Sequence, residues 1–224
     1  VTLPLSKTLD PADFDQLREE LAIVDRCFTD EREQHPMRRW EYALALRAYR
    51  QWLQRDYETC GHANRTHGGR LADVGGAGSP WSRILGEEAG GAHVTIIDPA
   101  YAPGPKTLAQ YIRYGSLASA VFCLSVLEHV DDLDEFCYHL SCLVAPGGLL
   151  FLTMDYCDSR GAAPADTYHF HWMRKRIFNG ITIRDLADIF TDRDFVLLGA
   201  QDYADHGPQV YNYTFASLAL RKRL

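Results

Sequence analysis

The hydrophobic positions of this chain fall into short runs and helical stripes that alternate along it. Two runs frame the centre, Leu71-Ala72-Asp73-Val74 and Val94-Thr95-Ile96-Ile97, each bounded by glycine, proline or aspartate. Runs of that length between turn signals predict buried strands. Residues 120–124 and 149–154 repeat the pattern, and the second is apolar almost throughout, as expected of a central strand covered on both faces. Phe195 to Leu198 and residues 211–220 predict two closing strands.

Helical stripes lie between the runs. Asp10 can cap and Pro11 suits a first helical position, with Phe14, Leu17, Leu21 and Val24 on one stripe behind them. A second helix is predicted from residue 36 to about residue 56, with Met37, Trp40 and Leu44 on one face. From Asp132 onward, Leu133, Phe136, Leu140 and Leu143 keep helical spacing until Pro146-Gly147-Gly148 ends it. Thr182 can cap a last helix bearing Ile183, Leu186 and Phe190. Polar residues 57–70 read as a loop, with His62 and His67 in it, and residues 155–180 as an irregular stretch. Strands alternating with helices predict an α/β fold around a parallel sheet.

The turn after the first run carries the candidate chemistry. Gly75, Gly76 and Gly78 let the backbone approach a ligand closely, while Ser79 and Pro80 can open a helix aimed at it. Asp98 closes the next run about 20 residues past Gly78, a separation that suits a hydrogen bond to a ribose hydroxyl. Asp73 stands just before the glycines. A carboxylate there repels a pyrophosphate but attracts an ammonium, which favours an amino-acid-bearing nucleoside over NAD.

On these residues the chain resembles the class I S-adenosylmethionine-dependent methyltransferases. Their acid-plus-glycines motif is matched by Asp73-Val74-Gly75-Gly76-Ala77-Gly78-Ser79, their ribose acid by Asp98, and their fourth strand and turn by residues 120–130, ending Ser125-Val126-Leu127-Glu128-His129-Val130. Pro146-Gly147-Gly148 matches their turn into strand five. The resemblance implies a Rossmann-like, seven-stranded, mostly parallel sheet with an antiparallel edge hairpin, over residues 69–224, with residues 1–68 as an N-terminal helical cap or lid. It implies S-adenosyl-L-methionine as cofactor, held by Asp73, Gly75, Gly76, Gly78, Asp98, Pro99, Leu124, Ser125 and Val126. Trp40 joins that set from the cap. Ala77 and Ser79 depart from the usual glycines, and residues 99–119 lack the acid that many relatives place against adenine, so Ser116 and Leu117 are the substitutes there.

The methyl of a sulfonium is already activated, so alignment and water exclusion come first, and a base is needed only where the acceptor must lose a proton. The candidates are His129, Asp155, Tyr156, His169 and His171. Asp155 and Tyr156 end strand five, where open α/β sheets hold ligands. His169 and His171 would share one side of an extended segment. In the family the Glu128-His129 pair more often supports the cofactor pocket than it performs chemistry.

Composition narrows the partners. A net charge of −7 over 224 residues gives no electrostatic case for gripping nucleic acid, and no apolar run approaches a membrane span. The N-terminus shows no charged-then-apolar signal pattern, which predicts a soluble cytoplasmic protein. Six scattered cysteines without a Cys-x-x-Cys pair read as reduced structural thiols. No metal is assigned: the RNA 3′-end methyltransferases use two Glu and two His, and Ser125 stands where their first Glu would be. The expected function is methyl transfer to an oxygen or nitrogen of a small metabolite, with the oligomeric state open, a homodimer included. The alternatives are an NAD-dependent oxidoreductase, a metal-dependent RNA 3′-end methyltransferase, and a non-catalytic S-adenosylmethionine-binding protein.

Overall fold

The computed structural model describes residues 3–28, 36–60, 69–101, 107–114, 117–156, 168–170, 173–175, 178, 180–203 and 214–224. Its main sheet has six strands. In chain order the elements are β1 (Ser6–Lys7), α1 (Asp13–Gln16), α2 (Arg18–Cys27), α3 (Pro36–Cys60), β2 (Leu71–Val74), α4 (Trp81–Glu88), β3 (Val94–Ile97), α5 (Leu108–Tyr114) and β4 (Ala118–Leu124). A 3₁₀ turn (Leu127–His129) leads to α6 (Leu133–Leu143) and β5 (Val144–Tyr156). The short strands β6 (Tyr168–Phe170) and β7 (Met173–Lys175) precede α7 (Gly180–Thr191), β8 (Phe195–Leu197), β9 (Gln201–Asp202) and β10 (Thr214–Lys222).

The sheet runs β3-β2-β4-β5-β10-β8, with the first four strands parallel and β10 antiparallel to both neighbours. The expected antiparallel pair at the edge is therefore β10 with β8. The seventh strand is absent from this sheet among the described residues. Among the described residues, one helix, α5, lies between Asp98 and Ala118, and a parallel crossover needs a dozen or more residues. Twenty residues accommodate one crossover and not two.

Strand periodicity divides the side chains between two apolar layers. Leu71, Phe122, Phe151 and Phe215 face α2, α3 and α4, whereas Val74, Cys123, Leu152 and Leu218 face α5, α6 and α7. β5 is buried along nearly its whole length, which explains its apolar run. Residues 3–9 are tied to β10 by Ser217, whose hydroxyl donates to Leu5 O, and by Ser6, which accepts from Ala219 N.

The first predicted stripe is helical but breaks at Leu17 into α1 and α2. The long helix α3 buries Trp40, Leu44 and Ala48 against the sheet, and Trp52 Nε1 donates to Gly147 O in the Pro-Gly-Gly turn at 2.9 Å. The helices expected to form a cap thus share one apolar core with the strands. The later helix starts at Gly180, so Thr182 lies within it rather than before it. Asp132 caps α6 by accepting from Glu135 N, as its sequence predicts. No helix among the described residues is long and apolar enough to cross a membrane.

Candidate active site

The chain leaves β2 for β3 on one side, then returns to place β4 on the other, so the ends of β2 and β4 flank a crevice at the point where strand order reverses. Asp73 and Val74 end β2, Leu124 ends β4, and Ser125 follows it. Two cavities open there, about 310 Å³ and 720 Å³, with Gly75 and Ser125 in the walls of both.

Asp73 lies under the smaller cavity, only 2% exposed. Its Oδ2 has no hydrogen-bond partner among the described residues. Burial, and then the nearby Asp98 charge, push its carboxyl up to about 7. An acid so placed is completed by a cation. Above it the turn runs in contact: Gly75 has φ +79° and a β-carbon there would strike Val126, while one on Gly76 would strike the Asp73 carboxylate. The glycines thus keep the backbone against the acid and leave the space above it open.

Ser79 closes the turn. Its N–H donates to Gly76 O, and its hydroxyl accepts from Trp81 N, the first residue of α4, at 3.0 Å. Tyr42 of α3 meets the same hydroxyl at 3.1 Å. Burial and the adjacent Glu41 push the Tyr42 phenol up to about 12, so it stays neutral. Phe28, Tyr42 and Trp81 stack in sequence from the cavity inward.

Asp98 stands at the larger cavity, partly exposed, accepting from Ala77 N at 3.2 Å and from Ala100 N at 2.7 Å. Pro99, Val126, Leu108 and Phe136 give this cavity apolar walls, and His129 lies on its rim.

Of the residues singled out by sequence, Asp73, Gly75, Gly76, Gly78, Leu124 and Ser125 line the smaller cavity, and Asp98, Pro99, Val126 and His129 the larger. Trp40 needs correction. It is fully buried with Nε1 donating to Asp13 at 2.8 Å, and it lines neither cavity. Leu117 is also misplaced, because it precedes β4 and so lies at the end of the sheet opposite the crevice, 45% exposed. Tyr156 points to the α6–α7 side and donates to Tyr203 O, away from the smaller cavity. Asp155, one residue earlier, is fully buried on the opposite side, in register with Phe215. His169 sits on β6, paired with Arg174 of β7, and β7 lies beside the turn that carries His129. Ser116 and His171 lie outside the described residues.

Arg38 and Glu41 are not among the site residues that the sequence singles out, yet they sit three apart on α3 and form an ion pair at 2.8 Å beside the crevice. Glu41 also accepts from Ser125 and Thr153. Two opposite charges at that spacing on an otherwise buried helix face were the available signal.

Residues 31–199 match the methyltransferase domain family. Among solved structures, the chain is similar to magnesium protoporphyrin IX methyltransferase from Synechocystis with bound S-adenosylhomocysteine, at 18% identity over 95% of each chain and a TM-score of 0.45. It is also similar to 1,6-didemethyltoxoflavin-N1-methyltransferase from Burkholderia thailandensis, at 18% identity over 100% of this chain and 93% of that one, with a TM-score of 0.46. An O-methyltransferase family protein from the same organism aligns at 15% identity over 93% of this chain and 69% of that one, with a TM-score of 0.49. No curated protein matches the chain.

Proposed function

This chain belongs to the methyltransferase domain family, whose enzymes use S-adenosylmethionine, and from that premise we propose that it methylates an oxygen or nitrogen of a small, cytoplasmic metabolite. The observation that carries the reading is the buried Asp73 Oδ2, without a hydrogen-bond partner among the described residues, beneath a glycine turn that is joined through Gly75 and Ser125 to a larger cavity holding Asp98. Those two acids match the two ends of the cofactor: an ammonium for Asp73 and a ribose diol for Asp98. Pro99, Val126 and Phe136 supply apolar faces for the adenine.

When bound, the cofactor supplies an electrophilic methyl on a sulfonium. The chain's own work is to orient and to exclude water. Asp73 holds one end of the ligand and Asp98 the other, which fixes the position between them near Ser125. Arg38, Tyr42 and Phe28 wall that position on the α3 side. A base is required only for an acceptor that loses a proton. Asp155 is kept as the candidate on β5, on the same face as Thr153, which donates to Glu41; it is fully buried and lines neither cavity. His169 and His171 remain the proposal for the acceptor side. His129 lies at the heterocycle end and is assigned to cofactor support.

The acidic surroundings favour a neutral acceptor over an anionic one. Among the described residues, Asp73, Glu41, Glu128 and Asp155 are buried at this end of the fold, and Arg38 is the guanidinium that lines the smaller cavity. The test is transfer of labelled methyl from S-adenosylmethionine into fractionated small metabolites and into total RNA. Label in a low-mass fraction supports the reading. Label in RNA, or S-adenosylhomocysteine binding with no transfer to any fraction, overturns it.

A further inference from the structure

Glu41 is a fully buried acid on α3 whose two oxygens reach three separate parts of the fold. Its Oε1 accepts from Ser125 Oγ at 2.6 Å and from Thr153 Oγ1, and its Oε2 accepts from Arg38 Nη1 at 2.8 Å. Ser125 is one of two non-glycine residues with positive φ among those described, at 53°. An L-residue holds that conformation only where its surroundings over-determine it. Here they do: Ser125 N donates to both the carbonyl and the hydroxyl of Thr153, and its own hydroxyl is taken by Glu41.

The position of the strain matters. Ser125 stands in the wall common to both cavities, where the two ends of the crevice meet. The same carboxylate draws the Arg38 guanidinium in, so that it sits 5.4 Å over the Phe215 ring at the edge of the smaller cavity. A carboxylate is the side chain that can accept from two hydroxyls and a guanidinium at once; an amide would turn an N–H toward Arg38.

We propose that Glu41 is a positioning residue, which locks the turn after β4 in its left-handed conformation and sets Arg38 over the cofactor crevice, so that cofactor affinity depends on the seating of α3. This rests on the reading of the two cavities as the S-adenosylmethionine site.

The test is calorimetric titration of the full chain with S-adenosylhomocysteine, for wild type, Glu41→Gln, Ser125→Gly and the double variant, with melting temperatures measured alongside. Glu41→Gln is expected to raise Kd about tenfold, a coupling of about 1.4 kcal/mol. Glycine adopts positive φ without strain, so in the Ser125→Gly background the same change is expected to raise Kd less than threefold. A merely structural role would cost stability in both backgrounds and show no such rescue. Wild-type affinity in Glu41→Gln, or an equal loss in both backgrounds, overturns the proposal. Should Glu41→Gln not fold, Thr153→Val, which removes one donor to Glu41 and one acceptor from Ser125 N, must raise Kd in the same direction, and unchanged affinity overturns it. Failure of wild type to bind S-adenosylhomocysteine instead overturns the cofactor reading itself.

Discussion

Gly76 and Asp73 are packed so that a β-carbon on the glycine would collide with the aspartate carboxylate. The acid three residues earlier in the chain is thus pressed up against the turn, and the absence of a side chain at 76 is what permits it. Gly76→Ala is expected to displace the carboxylate and to raise the Kd for S-adenosylhomocysteine about tenfold or more by calorimetry, roughly 1.4 kcal/mol. A variant that folds and binds like wild type would show that Asp73 does not need its present position.

Cofactor binding is expected to depend on pH through Asp73. Its carboxyl sits at about 7 because burial, and then Asp98, oppose its charge. The folded value is raised above the ordinary one, so this group's stabilising contribution to the cofactor-free protein is fully present below about pH 4 and is lost as pH rises toward 7. Binding runs the other way, since an ammonium requires the ionised acid. The affinity for S-adenosylhomocysteine is expected to fall by up to tenfold per pH unit below about 7, and proton release should appear as a dependence of calorimetric enthalpy on buffer. Asp73→Asn is expected to flatten both effects; an unaltered pH profile in that variant would assign them to another group.

Asp98 has a double task. It accepts from Ala77 N and Ala100 N, and it faces the larger cavity where a diol would lie. Asp98→Ala is expected to weaken S-adenosylhomocysteine binding by about 1.5–3 kcal/mol, the scale of hydrogen bonds to a charged group. Asp98→Asn, which can still accept from the turn, should lose less. Equal affinity in all three proteins would remove Asp98 from the cofactor site.

The six strands of the main sheet, their order of appearance and the glycine turn were legible because each depends on local rules: apolar runs of strand length, turn glycines, and an acid at a strand end. Asp73 and Asp98 stand at the two cavities for that reason, whereas the short strands β1, β6, β7 and β9 carry no such run. Leu117 was misread because the missing adenine acid was sought in the residues before β4, and the start of that strand lies at the end of the sheet opposite the crevice. Tyr156 was misread because neighbouring residues of a strand face opposite layers, and only the register with β10 tells which side faces α3. Glu41 and Ser125 are 84 positions apart, and a bond of that span leaves no mark on either local pattern.

Trp40 shows how a residue next to a site can belong wholly to the core. Its ring is fully buried and its Nε1 donates to Asp13 Oδ2, while Asp13 Oδ1 takes the buried ammonium of Lys7. The indole therefore helps satisfy a buried ion pair that ties β1 and α1 to α3. Trp40→Phe keeps most of the ring volume but removes that donor, leaving Asp13 Oδ2 with the longer bond from Asp10 N at 3.2 Å in a buried setting. The expected cost is about 1–3 kcal/mol of stability, read as a lower urea midpoint at unchanged slope. S-adenosylhomocysteine affinity should stay within twofold of wild type, because neither cavity includes the residue. A tenfold loss of affinity without loss of stability would return Trp40 to the cofactor site.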